Sequence, residues 1–247
     1  MPELTGAAQW PFKDFSTPVC PENPLPYMNQ KGVLERDMTP KEGYYVFQSY
    51  WADKPMVHIY GHSWPTRWGQ AGERKYIKVY SNCPEVELFL DGVSLGRRER
   101  DSQNFPAANL RWGVDLPEGR YTLKAIGYAE SATVEDEITQ SYQTEAWGVP
   151  AAIRIDSVDT KEGVATVHCQ IVDAEGVPCL DAKDFYRFSL AGNGRMIDNQ
   201  GTVRGSRRVG ACNGRAQISV DLNDRRNMLG IYVDGVEPNF VDLSPSA

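Results

Sequence analysis

The chain has 247 residues, 41% of them hydrophobic, and a formal net charge of −7. That supplies apolar material for one to three packed domains, while the acidic balance and the lack of a long Lys/Arg run exclude a nucleic-acid partner, which needs a basic stripe to displace phosphate counterions. No apolar run reaches the roughly 20 residues that span a bilayer, so no membrane partner is expected; Met1-Pro2-Glu3-Leu4-Thr5 has no signal-peptide character, and the compartment is left open.

Residues 1–38 are rich in proline and aromatics. Ala8 to Phe15 reads as a buried strand, and Ser16 to Pro26, with prolines at 18, 21, 24 and 26, reads as a loop without regular structure. Thr39 is placed as an N-cap, with Pro40 at the first helical position and Glu42 closing a Thr-x-x-Glu capping box. The helix is expected to run to about Trp51 and to bury Tyr44, Phe47, Tyr50 and Trp51 at helical spacing.

Short alternating runs then dominate, which points to β-sandwiches. The first set comprises Val57–Tyr60, Tyr76–Tyr80, Val86–Leu90, Val93–Leu95, Leu110–Leu116, Tyr121–Tyr128 and Val134–Tyr142. Asp91-Gly92 between two of these runs is a strong hairpin signal, because both turn residues must accept positive φ. The second set comprises Ala152–Val158, Val164–Val172, Phe185–Leu190, Ala216–Leu222 and Leu229–Val233, with turns at Ala174-Glu175-Gly176 and Gly192-Asn193-Gly194 and a loop-rich stretch at 199–214. The fold class is therefore mainly β.

The five cysteines (20, 83, 169, 179 and 212) form no CxxC pair and read as mostly free or buried thiols, although Cys169 and Cys179 could face each other across a hairpin. His58 and His62 are four apart. In a continuing strand that spacing spans ~13 Å, too far for one ion, so a structural or surface role is expected and no metal site is assigned. His168 reads as a residue on a sandwich face. Trp64, Arg67 and Trp68 fit either a sugar platform or a packing seam, and the seam is favoured because interface cores favour Trp and Arg.

Trp10-x-Phe12-x-Asp14-Phe15, then Asn29-x-Lys31-Gly32, then Arg36-Asp37-x-x-Pro40-Lys41 resembles the end of the catalytic barrel in glycoside hydrolase family 2. Val79-Tyr80-Ser81-Asn82-Cys83 with Val86 to Gly92 resembles the immunoglobulin-like module that follows that barrel, and Asp173 to Gly176 with Gly192 to Gly194 resembles a further C-terminal β-domain. The resemblance implies the last strand, loop and last helix of a (β/α)8 barrel at 1–51, an immunoglobulin-like sandwich at 52–145 and a second at 146–247. It implies a parent that hydrolyses terminal β-galactosides or β-glucuronides with retention, and a catalytic barrel as this chain's missing partner.

By that resemblance Trp10 forms the floor of a sugar subsite, its indole face against the apolar face of a pyranose. Asn29 and Lys31 match an Asn-x-Lys motif that holds a sugar carboxylate, and a compact ammonium with three donors suits that task. A retaining glycosidase needs two carboxyl groups about 5–5.5 Å apart. No glutamate here, Glu3, Glu22, Glu35 and Glu42 included, sits in either catalytic motif, so no catalytic residue and no cofactor is assigned. The alternative reading is a non-catalytic immunoglobulin-like module that binds carbohydrate or protein. A lone barrel strand also exposes unpaired backbone, so residues 1–38 are expected to be disordered, mobile or folded back onto the first sandwich.

Overall fold

The computed structural model describes residues 8–17, 19, 28–130, 132–198, 205–223 and 226–243. Most of the proline-rich loop, Cys20, Glu3, Glu22 and residues 199–204 lie outside them. The chain divides into two compact units, one of Met1–Met38 with Ala146–Ala247 and one of Thr39–Glu145.

In the first unit, strand β1 (Phe15–Ser16) pairs antiparallel with β2 (Met28–Asn29), which sets Phe15 opposite Asn29 and Ser16 opposite Met28. The Phe12 carbonyl accepts the N–H groups of Val33 and Leu34, both at 3.1 Å, and the Asp14 N–H reaches the Leu34 carbonyl at 2.9 Å. The buried strand expected over Ala8–Phe15 is thereby corrected. Only Phe15 joins a ladder; Pro11 and Asp14 are buried, while Trp10 is 76% and Phe12 61% exposed. A strand is buried on both faces only when sheet neighbours and covering layers surround it, and the described residues place only 28–34 alongside. The segment groups with 146–247, so folding back onto the first sandwich, one of the three outcomes expected for it, is not what the grouping shows.

In the second unit, helix α1 spans Glu42–Trp51. It starts later than Thr39, with Lys41 at the N-cap and no side-chain cap bond. The expected capping box does not form because the Glu42 carboxylate is drawn away, accepting from Gly61 N–H at 2.9 Å and meeting His58 Nε2 at 3.2 Å. The aromatic stripe is also less buried than expected. Tyr44, Phe47 and Tyr50 are half-buried and Trp51 is exposed.

Strands β3 (Val57–Ile59), β4 (Thr66–Trp68), β5 (Arg74–Ser81), β6 (Glu85–Leu90), β7 (Val93–Glu99), β8 (Arg111–Asp115), β9 (Gly119–Tyr128) and β10 (Thr133–Gln143) follow. They form a five-stranded sheet in the order β4-β10-β9-β6-β7 and a three-stranded sheet β3-β5-β8. Ile77, Val79 and Trp112 from one sheet and Val86, Leu88 and Leu123 from the other share a single buried core, so the unit is a sandwich. The β6–β7 hairpin turns at Asp91 (φ 48°) and Gly92 (φ 80°), as the Asp-Gly signal requires. Strand β4 escapes sequence reading because it is three residues long and pairs parallel with Ser141–Gln143, far along the chain.

Strands β11 (Ala152–Lys161), β12 (Val164–Val172), β13 (Phe185–Ala191), β14 (Arg195–Ile197), β15 (Arg208–Gly210), β16 (Arg215–Asp221), β17 (Asn227–Val233) and β18 (Asn239–Leu243) complete the first unit. The sheets run β11-β12-β16-β14 and β15-β13-β17-β18. Their inner faces share a core that includes Val167, Cys169 and Ile218 from one sheet and Tyr186, Leu229 and Ile231 from the other. The landmarks have physical causes. Asp173 folds its own turn, with Oδ1 accepting from Glu175 and Val177 N–H at 3.1 and 2.8 Å and Oδ2 from Gly148 N–H at 2.7 Å. These backbone donors, Gly148 foremost, hold its carboxyl below the usual range. Gly194 N–H donates to Asn227 Oδ1 at 2.7 Å, and a Cβ at Gly192 would lie 2.4 Å from that oxygen.

Candidate functional site

The three residues singled out for sugar contact lie on one small structure built from residues 10–16 and 28–34. The β1–β2 pairing brings Asn29 beside Phe15, and the loop after it returns to the Phe12 carbonyl. Trp10 and Lys31 are exposed and Asn29 is buried. Asn29 Oδ1 accepts the Lys31 N–H at 3.0 Å, an Asx turn that leaves the Asn29 amide as the donor end. The Asp14 carboxylate, 2% exposed, accepts the Gly32 N–H at 2.9 Å. Gly32 is required by close approach, since a Cβ there would lie 2.4 Å from the Asp14 nitrogen. Arg36 reaches the Ser16 hydroxyl from the far side of the loop. An indole face suits stacking on an apolar ring face, and an amide donor and an ammonium suit an anion.

The histidines depart from expectation. Strand β3 ends at Ile59 and the chain turns, so the ~13 Å separation of a continuing strand does not arise. The His58 and His62 rings stack, with centroids 4.6 Å apart and planes 16° apart, and ligand atoms of His58, His62 and Asp136 lie within 4.8 Å of one another. Distance therefore does not exclude a shared ion. Orientation opposes one, because near-parallel rings cannot both aim an in-plane lone pair at a single centre without turning. The Nε2 atom of each ring already has a partner. His58 Nε2 faces Glu42 at 3.2 Å, and His62 Nε2 faces Asp136 Oδ2 at 2.7 Å, an oxygen that also accepts the Ile59 N–H at 2.7 Å.

That pairing sets a pH dependence. The hydrogen bond to Asp136 raises the His62 pKa above its ordinary 6.5, against burial. Burial would raise Asp136, but the His62 and Ile59 hydrogen bonds bring it below its ordinary 3.8. A raised His contributes stability that is present below the unfolded value and lost as pH rises through the folded one. A lowered Asp contributes stability present above its unfolded value and lost as pH falls through the folded one. The pair should therefore stabilise most between about pH 4 and 6.5. We expect thermal scans of His62→Gln to lose part of the decline in Tm that the parent shows just above that window. An unchanged decline would assign it to other groups.

Sequence reading missed Gln140. Its amide donates to the Gly61 carbonyl at 2.8 Å and to the Trp64 carbonyl, and its Oε1 accepts from Arg67 Nε at 3.0 Å and Tyr121 OH at 3.1 Å. Arg67 also donates to the Tyr60 carbonyl at 3.1 Å, and its guanidinium lies 5.8 Å from the Trp64 ring centre. Arg67 thus turns into its own unit. His168 meets Asp159 at 3.3 Å on the face of the β11–β12 pair. Cys83, Cys169, Cys179 and Cys212 are free, and burial pushes the Cys169 thiol up to about 12 and Cys179 to about 11, which disfavours the thiolate form a nucleophile needs. Among the described residues no helix is long and apolar enough to cross a membrane.

The chain is similar to known proteins over most of its length. Residues 72–135 match a domain of unknown function, DUF4982. The chain is 50% identical to a Parabacteroides merdae beta-glucuronidase of known structure, with a TM-score of 0.91 over 95% of this chain and 30% of that one. It is 50% identical to Bacteroides uniformis beta-glucuronidase 3, with a TM-score of 0.93 over 99% of this chain and 32% of that one. It is also 32% identical over 180 residues to a beta-galactosidase of Bacteroides ovatus, covering 70% of this chain and 20% of that protein. The chain spans between about a fifth and a third of the length of these relatives.

Proposed function

From a chain whose relatives are glycoside hydrolase family 2 enzymes, matched over their C-terminal part, we propose that this is the segment that closes the sugar subsite of a retaining β-glycosidase. The substrate class is a terminal β-glucuronide, with β-galactoside as the neutral counterpart. Residues 1–51 are the end of the catalytic barrel in this reading, and 52–145 and 146–247 are the sandwiches that buttress it. Trp10 stacks on the pyranose, the Asn29 amide donates to the C6 carboxylate and the Lys31 ammonium neutralises it.

The observation that supports the reading is the pairing of 12–16 with 28–34, which ties the Asn29-Gln30-Lys31 turn to the stretch of chain that follows the exposed Trp10 indole. The chemistry itself needs a proton donor and a nucleophile about 5–5.5 Å apart. We assign neither to this chain, so the purified chain should not hydrolyse p-nitrophenyl β-glucuronide or β-galactoside. In the full-length enzyme, Lys31→Ala should raise KM for the glucuronide by about 10- to 100-fold, because one charge-assisted bond of about 1.5–3 kcal/mol is lost. Hydrolysis of an uncharged β-galactoside, where present, should change little. Equal loss on both substrates would remove Lys31 from carboxylate recognition.

A further inference from the structure

We propose that Asp14 is a positioning residue for Lys31. It holds the loop that carries the ammonium and so sets uronate recognition without touching the sugar. The inference rests on the reading of Lys31 above. Four consecutive backbone N–H groups, those of residues 31–34, are all engaged by two short stretches of chain. Lys31 N–H goes to Asn29 Oδ1 at 3.0 Å, Gly32 N–H to Asp14 Oδ1 at 2.9 Å, and Val33 and Leu34 N–H to the Phe12 carbonyl at 3.1 Å each.

The Phe12 bonds are made by main chain and survive truncation of the side chains. The Asn29 bond is internal to the loop and fixes its curvature but not its place. The Asp14 bond is the side-chain anchor from the 12–15 stretch to the residue adjoining Lys31. It is therefore the bond that a substitution can remove.

Packing supports the same assignment. Asp14 is 2% exposed, and its own N–H is tied to the Leu34 carbonyl at 2.9 Å, so the carboxylate has little freedom to follow a moving loop. Gly32 lies against the Lys13–Asp14 backbone, with 2.4 Å between its notional Cβ and both Lys13 C and Asp14 N. Any drift of residue 32 therefore also carries the Cα of Lys31. A lysine side chain has four rotatable bonds, and its ammonium is held over an anion only if its Cα is fixed.

The test is a double-mutant cycle in the full-length enzyme, read as KM and kcat on p-nitrophenyl β-glucuronide. Asp14→Ala should raise KM about tenfold with kcat within about threefold. Asp14→Asn keeps an acceptor oxygen and should recover most of this, ending about two- to threefold above the parent. Combined with Lys31→Ala, Asp14→Ala should add almost nothing, because both changes remove the same interaction.

Multiplying effects would overturn the proposal, as would a fall in Tm with KM unmoved, since either leaves Asp14 merely structural. If Asp14→Ala does not fold, the Asp14→Asn variant decides, and an unmoved KM there overturns the proposal. If Lys31→Ala itself leaves KM unchanged, the reading of Lys31 fails first and this inference falls with it.

Discussion

Trp10→Ala in the full-length enzyme is expected to lower kcat/KM by about 100-fold, on glucuronide and galactoside alike. Burying one apolar face of a sugar against an indole is worth about 2–3 kcal/mol, and each ~1.4 kcal/mol is a factor of ten. In this chain by itself the same substitution should leave the fold almost untouched, because Trp10 is 76% exposed and surface changes shift stability by only about 0.5 kcal/mol. Activity and stability are thereby separable. Steady-state kinetics beside a thermal melt would show a large drop in the first and none in the second. A kcat/KM within about threefold of the parent would remove Trp10 from the subsite. Equal action on both sugars would also distinguish the ring-stacking role proposed for Trp10 from the charge-reading role proposed for Lys31.

Gln140→Leu is the second large effect, and it acts on stability. The leucine fills comparable volume but leaves two buried carbonyls, the Arg67 Nε and the Tyr121 hydroxyl without the partner they have now. Each stranded buried group costs about 1–3 kcal/mol. Water reaches some of them after relaxation, so about 3–5 kcal/mol in total is expected, at the upper end for single substitutions. Urea unfolding followed by tryptophan fluorescence, with Trp64 inside the affected loop, would measure it. Gln140→Glu should fall between parent and leucine, since it retains the acceptor for Arg67 and Tyr121 and loses the donor to Gly61 and Trp64. A leucine variant as stable as the parent would mean that the 60–68 loop finds other partners.

Both effects bear on what can be read from the chain alone. The strands at 74–81, 85–90, 119–128 and 164–172 were legible because alternation along a half-buried strand is written directly in residue order. The Asp91-Gly92 hairpin was legible for a local reason too, since positive φ at two adjacent positions admits few residues. Strands 66–68, 195–197 and 239–243 were not. They are short and all three lie at sheet edges, and the partners of the first two are 75 and 22 to 26 residues distant. The capping box at Thr39 was locally well formed and still did not appear, because Glu42 had a tertiary alternative in Gly61 and His58.

The sequence by itself determined the mainly β class, the longer sandwich strands, the β6–β7 turn and the motif that contains Trp10, Asn29 and Lys31. Each of these is encoded within a few neighbouring residues. Only the tertiary structure decided which carboxylate ties down the Lys31 loop, that Trp10 faces outward, that His62 folds back onto His58 and Asp136, and that Gln140 closes the 60–68 loop. For the three contacts the physical reason is the same. A hydrogen bond or a ring contact between residues 18, 74 or 79 positions apart depends on where the backbone has already been carried by packing, and no local pattern of residues records that path.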